Sequence, residues 1–286
     1  MARLQLSKSA LARERKNLRT FERFLPSLDL KRQQLMAERG RQPALTIYGA
    51  RAYKVSGDYG ELYARLLEIG TQHHIYFSLS DDPLRVEGYK SLAFELAEQI
   101  EDRLPDFMVV PLGSGGLCRG ILKGFEELKD SGITSQIPAF IGVQSDGNSP
   151  TVDAYEKGLD RIERFQNSLT IDHVLENPLP PSGNQVLRKL RANHGLLLKV
   201  NNEAVLKAMR LLAQEGIFAQ PASATALAGL IQAVNKKMIP TGSRVVVVVT
   251  GSGLKYPPVL KQFDLSPVAV DLDHLPQALA TTLNEV

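Results

Sequence analysis

The sequence is poor in cysteine, in long apolar runs and, over its opening segment, in acidic residues. One cysteine in 286 residues excludes an internal disulfide and fits a reducing compartment. No apolar run approaches the ~20 residues of a membrane span; the purest is the run of valines at 245–249. The opening MARLQLSKSALARER has no apolar signal-peptide core, and Glu14 and Glu22 argue against a transit peptide. A cytoplasmic protein with no membrane span and no nucleic-acid partner is expected.

What is present is ordinary for a globular protein: 43% hydrophobic and 23% charged residues, enough chain for one large domain or two smaller ones. The net charge of +3 conceals an asymmetry. Residues 1–41 hold eleven Lys or Arg against four Asp or Glu, whereas the remainder is net acidic. Such a shift suggests two segments with different histories or partners. In the first, Leu11, Leu18 and Leu25 repeat every seven residues, and Phe21, Leu28 and Leu35 form a second seam. This a/d pattern predicts a basic heptad helix, kinked at Pro26 and ended by Gly40 and Pro43.

From Ile47 the pattern changes to alternating strands and helices. Buried strands are predicted at IYGARAYKV (47–55), FMVVPL (107–112), AFIGVQ (139–144) and RVVVVVT (244–250), the last as a central strand buried on both faces. Helical patterns lie between them, at GELYARLLEIG, EGYKSLAFELAEQIEDRL, LCRGILKGFEELKD, NEAVLKAMRLLAQEG and SATALAGLIQAV. Alternation of this kind implies a mainly parallel sheet with helices on both faces. Residues 146–198, rich in Pro, Asn and Gly, read as a long surface excursion with one short helix near 186–192.

Three stretches carry chemistry. In MVVPLGSGGLCRGILKGF (108–125) a strand ends, Gly113-Ser114-Gly115-Gly116 follows, and a helix begins near Leu117. Unpaired N–H groups at a helix start favour an anion, glycines let it approach, and Ser114 adds a hydroxyl. A tight turn that binds nothing has the same local sequence, because the spacing is neither G-x-G-x-x-G nor the lysine-containing P-loop. Cys118 reads as packing. In VVVVVTGSGLK (245–255) a second strand ends in Thr250 and a glycine-rich turn, at the sheet edge where α/β folds bind ligands. In LAQEGIFAQPASATALAGL (212–230), Gly216 ends a helix, Pro221 fixes a turn, and Ala222, Ala224, Ala226 and Ala228 suit a helix packed closely on a strand or flat ligand.

With YGARAYKVSGDYGELY, LSDDPLRVEGYKSLAFELAEQ and IGVQSDGNSP, these stretches resemble, in order, the fold-type II pyridoxal-phosphate enzymes, and threonine synthases in particular, over residues 45–259. The resemblance implies a three-layer α/β fold of the tryptophan synthase β-like class. It implies that Gly113, Ser114, Gly115, Gly116 and Leu117 surround the phosphate of pyridoxal 5'-phosphate and that Thr250 hydrogen-bonds the pyridine nitrogen. It also implies a carbon–oxygen lyase converting O-phosphohomoserine to threonine and phosphate. Two departures stand out. Gln220 replaces the family's Glu before Pro-Ala-Ser. The Ser-Phe-Lys-Asp segment with the Schiff-base lysine and the Ser-x-Gly-Asn loop are not found; neither Lys8 nor Ser182-Gly183-Asn184 has the context, and Lys90, Lys123 and Lys255 read as solvated. No catalytic residue and no metal ligand is therefore assigned.

Residues 1–41 resemble the amino-terminal helix of the central-stalk coiled-coil component of the V-type ATPases. The expected organisation is a stalk-like helix at 1–41 fused to a truncated fold-type II domain at 42–286, inactive alone. A homodimer, a complementing chain that supplies the lysine, and a coiled-coil partner for residues 1–41 all remain open, as does a non-catalytic role.

Overall fold

The computed structural model describes residues 59–100 and 103–265, together with residues 49, 51, 53, 55, 270 and 274 singly. The heptad helix expected at 1–41 and most of the strand expected at 47–55 lie outside the described residues.

In chain order the helices and strands are α1 (Tyr59–His73), α2 (Pro83–Tyr89), α3 (Ser91–Gln99), β1 (Phe107–Pro111) and α4 (Gly116–Asp130). There follow β2 (Ala139–Ser145), α5 (Pro150–Glu156), α6 (Gly183–Ala192), β3 (Leu196–Val200), α7 (Asn202–Gln214), α8 (Pro221–Asn235) and β4 (Val245–Val247). Two short 3₁₀ turns, Gly253–Lys255 and Pro257–Gln262, follow β4. The sheet runs β3-β2-β1-β4, with every pairing parallel.

Alternation along the strands sorts the core into two layers. Met108, Val110 and Phe140 face a cluster built with Ile121, Leu122 and Phe125 of α4 and Leu187 and Leu190 of α6. Val109, Ile141 and Val143 face the opposite cluster, built with Val205, Ala208 and Met209 of α7 and the alanines of α8. The three-layer α/β expectation is met.

Two expectations are corrected. The valine run is not a central strand: β4 is only three residues long, sits at the edge of the described sheet and is half-buried. Its one neighbour among the described residues is β1, and the valines owe their β-propensity to branching. The excursion is also more ordered than its composition suggests, since α5 falls inside it and β3 begins within it. β3 pairs with β2 over five residues, from Ile141↔Leu196 to Ser145↔Val200.

Three glycines of α4 decide how the first layer closes. Gly116, Gly120 and Gly124 recur every four residues and so share one face. A Cβ at these positions would lie 2.6 Å from the Ser80 carbonyl oxygen, 2.5 Å from Tyr89 Cβ and 2.7 Å from Ala93 Cβ. Their bareness lets α2 and α3 approach α4 at backbone distance. Lys90 Nζ then joins α3's start to α4 by hydrogen bonds of 2.9 and 2.8 Å to the Glu127 carboxylate. Lys123 pairs with Glu87 in the same cluster. Lys90, expected to be solvated, has a side chain only 15% exposed.

Candidate cofactor site

β1 delivers its chain end into the glycine loop. Leu112 N still donates to Val143 O at 2.8 Å, after which the backbone leaves the sheet. Gly115 has φ +87°, a left-handed conformation that a residue with a Cβ adopts only at a cost. That turn starts α4 at Gly116. The geometry of a helix start leaves the N–H groups of Gly116, Leu117 and Cys118 without intrahelical acceptors. They lie at the positive end of a 15-residue helix.

The excursion walls this loop. Asn177 Nδ2 donates to Ser114 Oγ at 3.0 Å, and Ser182 N donates to Ser114 O at 3.0 Å. A Cβ at Gly113 would stand 3.2 Å from Leu175 Cα, and one at Gly115 would stand 3.1 Å from Ser182 Cβ. Leu175 is in turn fixed by Asn148, whose Nδ2 donates to its carbonyl at 3.1 Å. Ser182-Gly183-Asn184 thus sits beside the loop as a wall, with Asn184 Oδ1 accepting from Ile162 N at 2.8 Å.

The second strand end lies next door, because β4 pairs with β1. Thr250 is exposed there. Its Oγ1 is 2.9 Å from Ser223 Oγ, which also accepts from Gly251 N at 2.7 Å. Gln220 N donates to Gly251 O at 3.0 Å, so the start of α8 and the turn after β4 form one unit. The Gln220 side-chain amide lies against Gly251. Ala222, Ala224, Ala226 and Ala228 are all buried, and the last three pack in the cluster formed with the sheet and α7.

Behind this unit lies Asp172, 1% exposed. Burial pushes its carboxyl up to about 6; the Thr225 hydroxyl and His173 pull it down, and Asp146 adds to the rise. Cys118 is buried, and burial alone raises its thiol to about 12, which makes it a packing residue. Among the described residues no group of three His, Cys, Asp or Glu converges as a metal site. No described helix is long and apolar enough to cross a membrane.

The glycine loop and Thr250, six positions singled out from the sequence, therefore stand at the carboxyl ends of adjacent parallel strands. Ser223, Asn177 and Asp172 were not singled out. Ser223 was legible as the serine of the Pro-Ala-Ser turn; the other two lie in the polar excursion.

Residues 35–251 match the family described as pyridoxal-phosphate dependent enzyme. The chain belongs to that family. Threonine synthase of Methanocaldococcus jannaschii is 32% identical over 235 residues, covering 82% of this chain and 58% of the relative. Threonine synthase of Methanosarcina acetivorans is 33% identical over 233 residues, covering 81% of this chain and 58% of the relative. The chain thus spans about three fifths of the length of these relatives. Among solved structures, threonine deaminase isoform 2 of Solanum lycopersicum superposes with a TM-score of 0.62 at 17% identity, covering 79% of this chain and 63% of that one. Maize serine racemase gives 0.58 at 18% identity, covering 84% and 67%. At these identities the structures attest the fold alone, a parallel-sheet α/β architecture in agreement with the sheet described above.

The family's cofactor is pyridoxal phosphate, and the residues present fit it. A phosphate dianion suits a set of backbone N–H donors at a helix start, with a serine hydroxyl beside them. A pyridine nitrogen suits a neutral hydroxyl such as Thr250 on the neighbouring strand end.

Proposed function

We propose that this domain holds pyridoxal phosphate between the two strand ends. The phosphate would lie on the N–H groups of residues 113–117 and the Ser114 hydroxyl, and the pyridine nitrogen on Thr250 Oγ1. The observation that carries this reading is the pairing of β1 with β4 in parallel, which sets an anion-binding helix start beside an exposed hydroxyl.

When bound, the cofactor supplies an electron sink for carbanion chemistry on an amino acid. The chain's own residues orient it. Ser223 fixes the Thr250 hydroxyl, and a neutral partner there leaves the ring nitrogen largely unprotonated. Asn177 and Ser182 hold the glycine loop in shape. The small residues at the start of α8 leave a flat surface.

The reaction class is that of a threonine-synthase-like lyase acting on an O-phosphohomoserine-class amino acid, in the cytoplasm. The Ser-Phe-Lys-Asp context for the covalent lysine is not in this sequence. Lys90 is a poor substitute: burial disfavours its ammonium, but Glu127 and Glu87 outweigh that and raise its pKa, keeping it charged. On this reading the residues that match the family hold the cofactor reversibly, and turnover needs a covalent lysine from outside them.

Equilibrium dialysis against pyridoxal phosphate tests the site. Ser114→Asp sets a carboxylate against the phosphate and should weaken binding by more than tenfold (over ~1.4 kcal/mol). Thr250→Val removes one hydrogen bond and should cost about fivefold, on the order of 1 kcal/mol. Parental affinity in the Ser114→Asp variant would refute the loop assignment.

A further inference from the structure

Asp172 is held where a carboxylate is costly. Its Oδ2 accepts the Thr225 hydroxyl at 2.7 Å, while Oδ1 has no hydrogen-bond partner. Next to it is a cavity of about 270 Å³, lined among others by Ile171, Asp172, Gln220, Ala222, Lys255 and Tyr256. Gln220, only 4% exposed, also lines the cavity, with its amide nitrogen against Gly251. The Tyr256 hydroxyl is engaged with His173 Nε2 at 2.9 Å on the cavity rim.

The hydrogen bonding distinguishes the two protonation states. Thr225 has one hydroxyl proton and two acceptors in reach, Asp172 Oδ2 at 2.7 Å and the Pro221 carbonyl at 3.0 Å. Protonated on Oδ2, Asp172 can donate to Thr225 Oγ1, which then donates to Pro221, and each proton has an acceptor. Ionised, Asp172 takes the Thr225 proton and leaves Oδ1 with empty lone pairs in a desolvated place. The ionised form is the one that gains from a donor arriving through the cavity.

We propose that this cavity is a subsite for a small primary ammonium group, with Asp172 as its counter-charge and the Gln220 amide oxygen as a flanking acceptor. The charged or titratable groups around the carboxylate are His173 on its own segment, Asp146 just after β2, and Lys255 and Tyr256 in the turns after β4. Thr225, from α8, is its one direct side-chain hydrogen-bond donor among the described residues. His173 and Asp146 act on the carboxyl in opposite directions, so the balance is set largely by burial. An alcohol of the same size lacks the charge, and a quaternary ammonium lacks the N–H.

The inference goes beyond the cofactor reading and is tested without cofactor, so the two can fail separately. The full chain is titrated with propylammonium chloride, with 1-propanol and tetramethylammonium chloride as comparators, and followed by ligand-observed NMR. Propylammonium should bind about tenfold or more tightly than either comparator at about pH 8, and about tenfold more weakly at about pH 5. Asp172→Asn, which keeps the shape and the Thr225 contact, should lose binding by about tenfold or more. Equal affinity for propylammonium in that variant, or equal affinity of the parent for 1-propanol, overturns the proposal. If the Asn variant does not fold by circular dichroism, the parent's pH dependence decides: an affinity unchanged between the two pH values also overturns it.

Discussion

Asp172 makes a cost of burial measurable at a single residue. Burial pushes its carboxyl up to about 6 in the folded chain, against about 3.9 in an unfolded one. Between those values the folded state holds the proton that the unfolded state has lost, so this group's contribution to stability falls as pH rises from about 4 to about 6 and is level above. Over that window the loss amounts to about 3 kcal/mol. Asp172→Asn removes the titration, so urea unfolding at a series of pH values should show the variant gaining on the parent by that order between about pH 4 and 7. A stability difference flat with pH would contradict the buried carboxylate. Cys118 gives a second check at this scale. Its thiol, raised to about 12 by burial, should not react with an aromatic disulfide reagent at about pH 8 until the chain is denatured. Fast labelling of the native protein would place Cys118 at a surface. The sequence made Cys118 legible as packing because it falls in the first turn of an amphipathic helix. It did not make Asp172 legible, since TIDHVLENP reads as surface and its burial depends on α8, some fifty positions later.

At the scale of elements, α4 shows packing and propensity in competition. Glycine inside a helix is less favourable than alanine by up to about 1 kcal/mol. At Gly88 of α2 nothing stands within 4 Å of an added Cβ, so Gly88→Ala should stabilise by about 0.5–1 kcal/mol. At Gly124 the Cβ would stand 2.7 Å from Ala93 Cβ and 2.8 Å from the Lys90 carbonyl oxygen. Backbone cannot give way as a flexible side chain can, and Gly124→Ala should destabilise by about 1–3 kcal/mol despite its better propensity. Chemical denaturation of both variants tests the pair, and stabilisation at Gly124 would show that α3 is not seated against α4. The spacing of Gly116, Gly120 and Gly124 was visible in GLCRGILKGF, but which partner it meets was not. The same limit explains β3 and α5. LLLKV after Gly195 is a short apolar run bounded as strands are, yet the surrounding Pro, Asn and Gly made the whole stretch read as loop. β4 erred in the opposite direction: five valines declare a strand, but its place in the sheet depends on what pairs with it.

Across the whole molecule, the arrangement that matters is the meeting of three distant stretches at one edge of the sheet. The glycine loop lies more than a hundred residues before the Pro-Ala-Ser turn and Thr250, and each stretch alone admits a structural explanation. Parallel pairing brings the first and third together, and Ser223 ties the second to the third. Their order was legible from the sequence; the wall supplied by Asn177 and Ser182 was not, because it required the excursion to fold back on β1. If this edge holds the cofactor in the native state only, pyridoxal phosphate at about 100 times its dissociation constant should stabilise the chain by about 2.7 kcal/mol. The domain is proposed to take pyridoxal phosphate through N–H and hydroxyl donors, with no described lysine joined covalently to it. The most direct measurement is the cofactor retained on dialysis before and after borohydride reduction, with peptide mapping of whatever remains. One equivalent bound reversibly before reduction, little retained afterwards and no single lysine carrying the label are expected. One lysine labelled stoichiometrically would contradict the proposal.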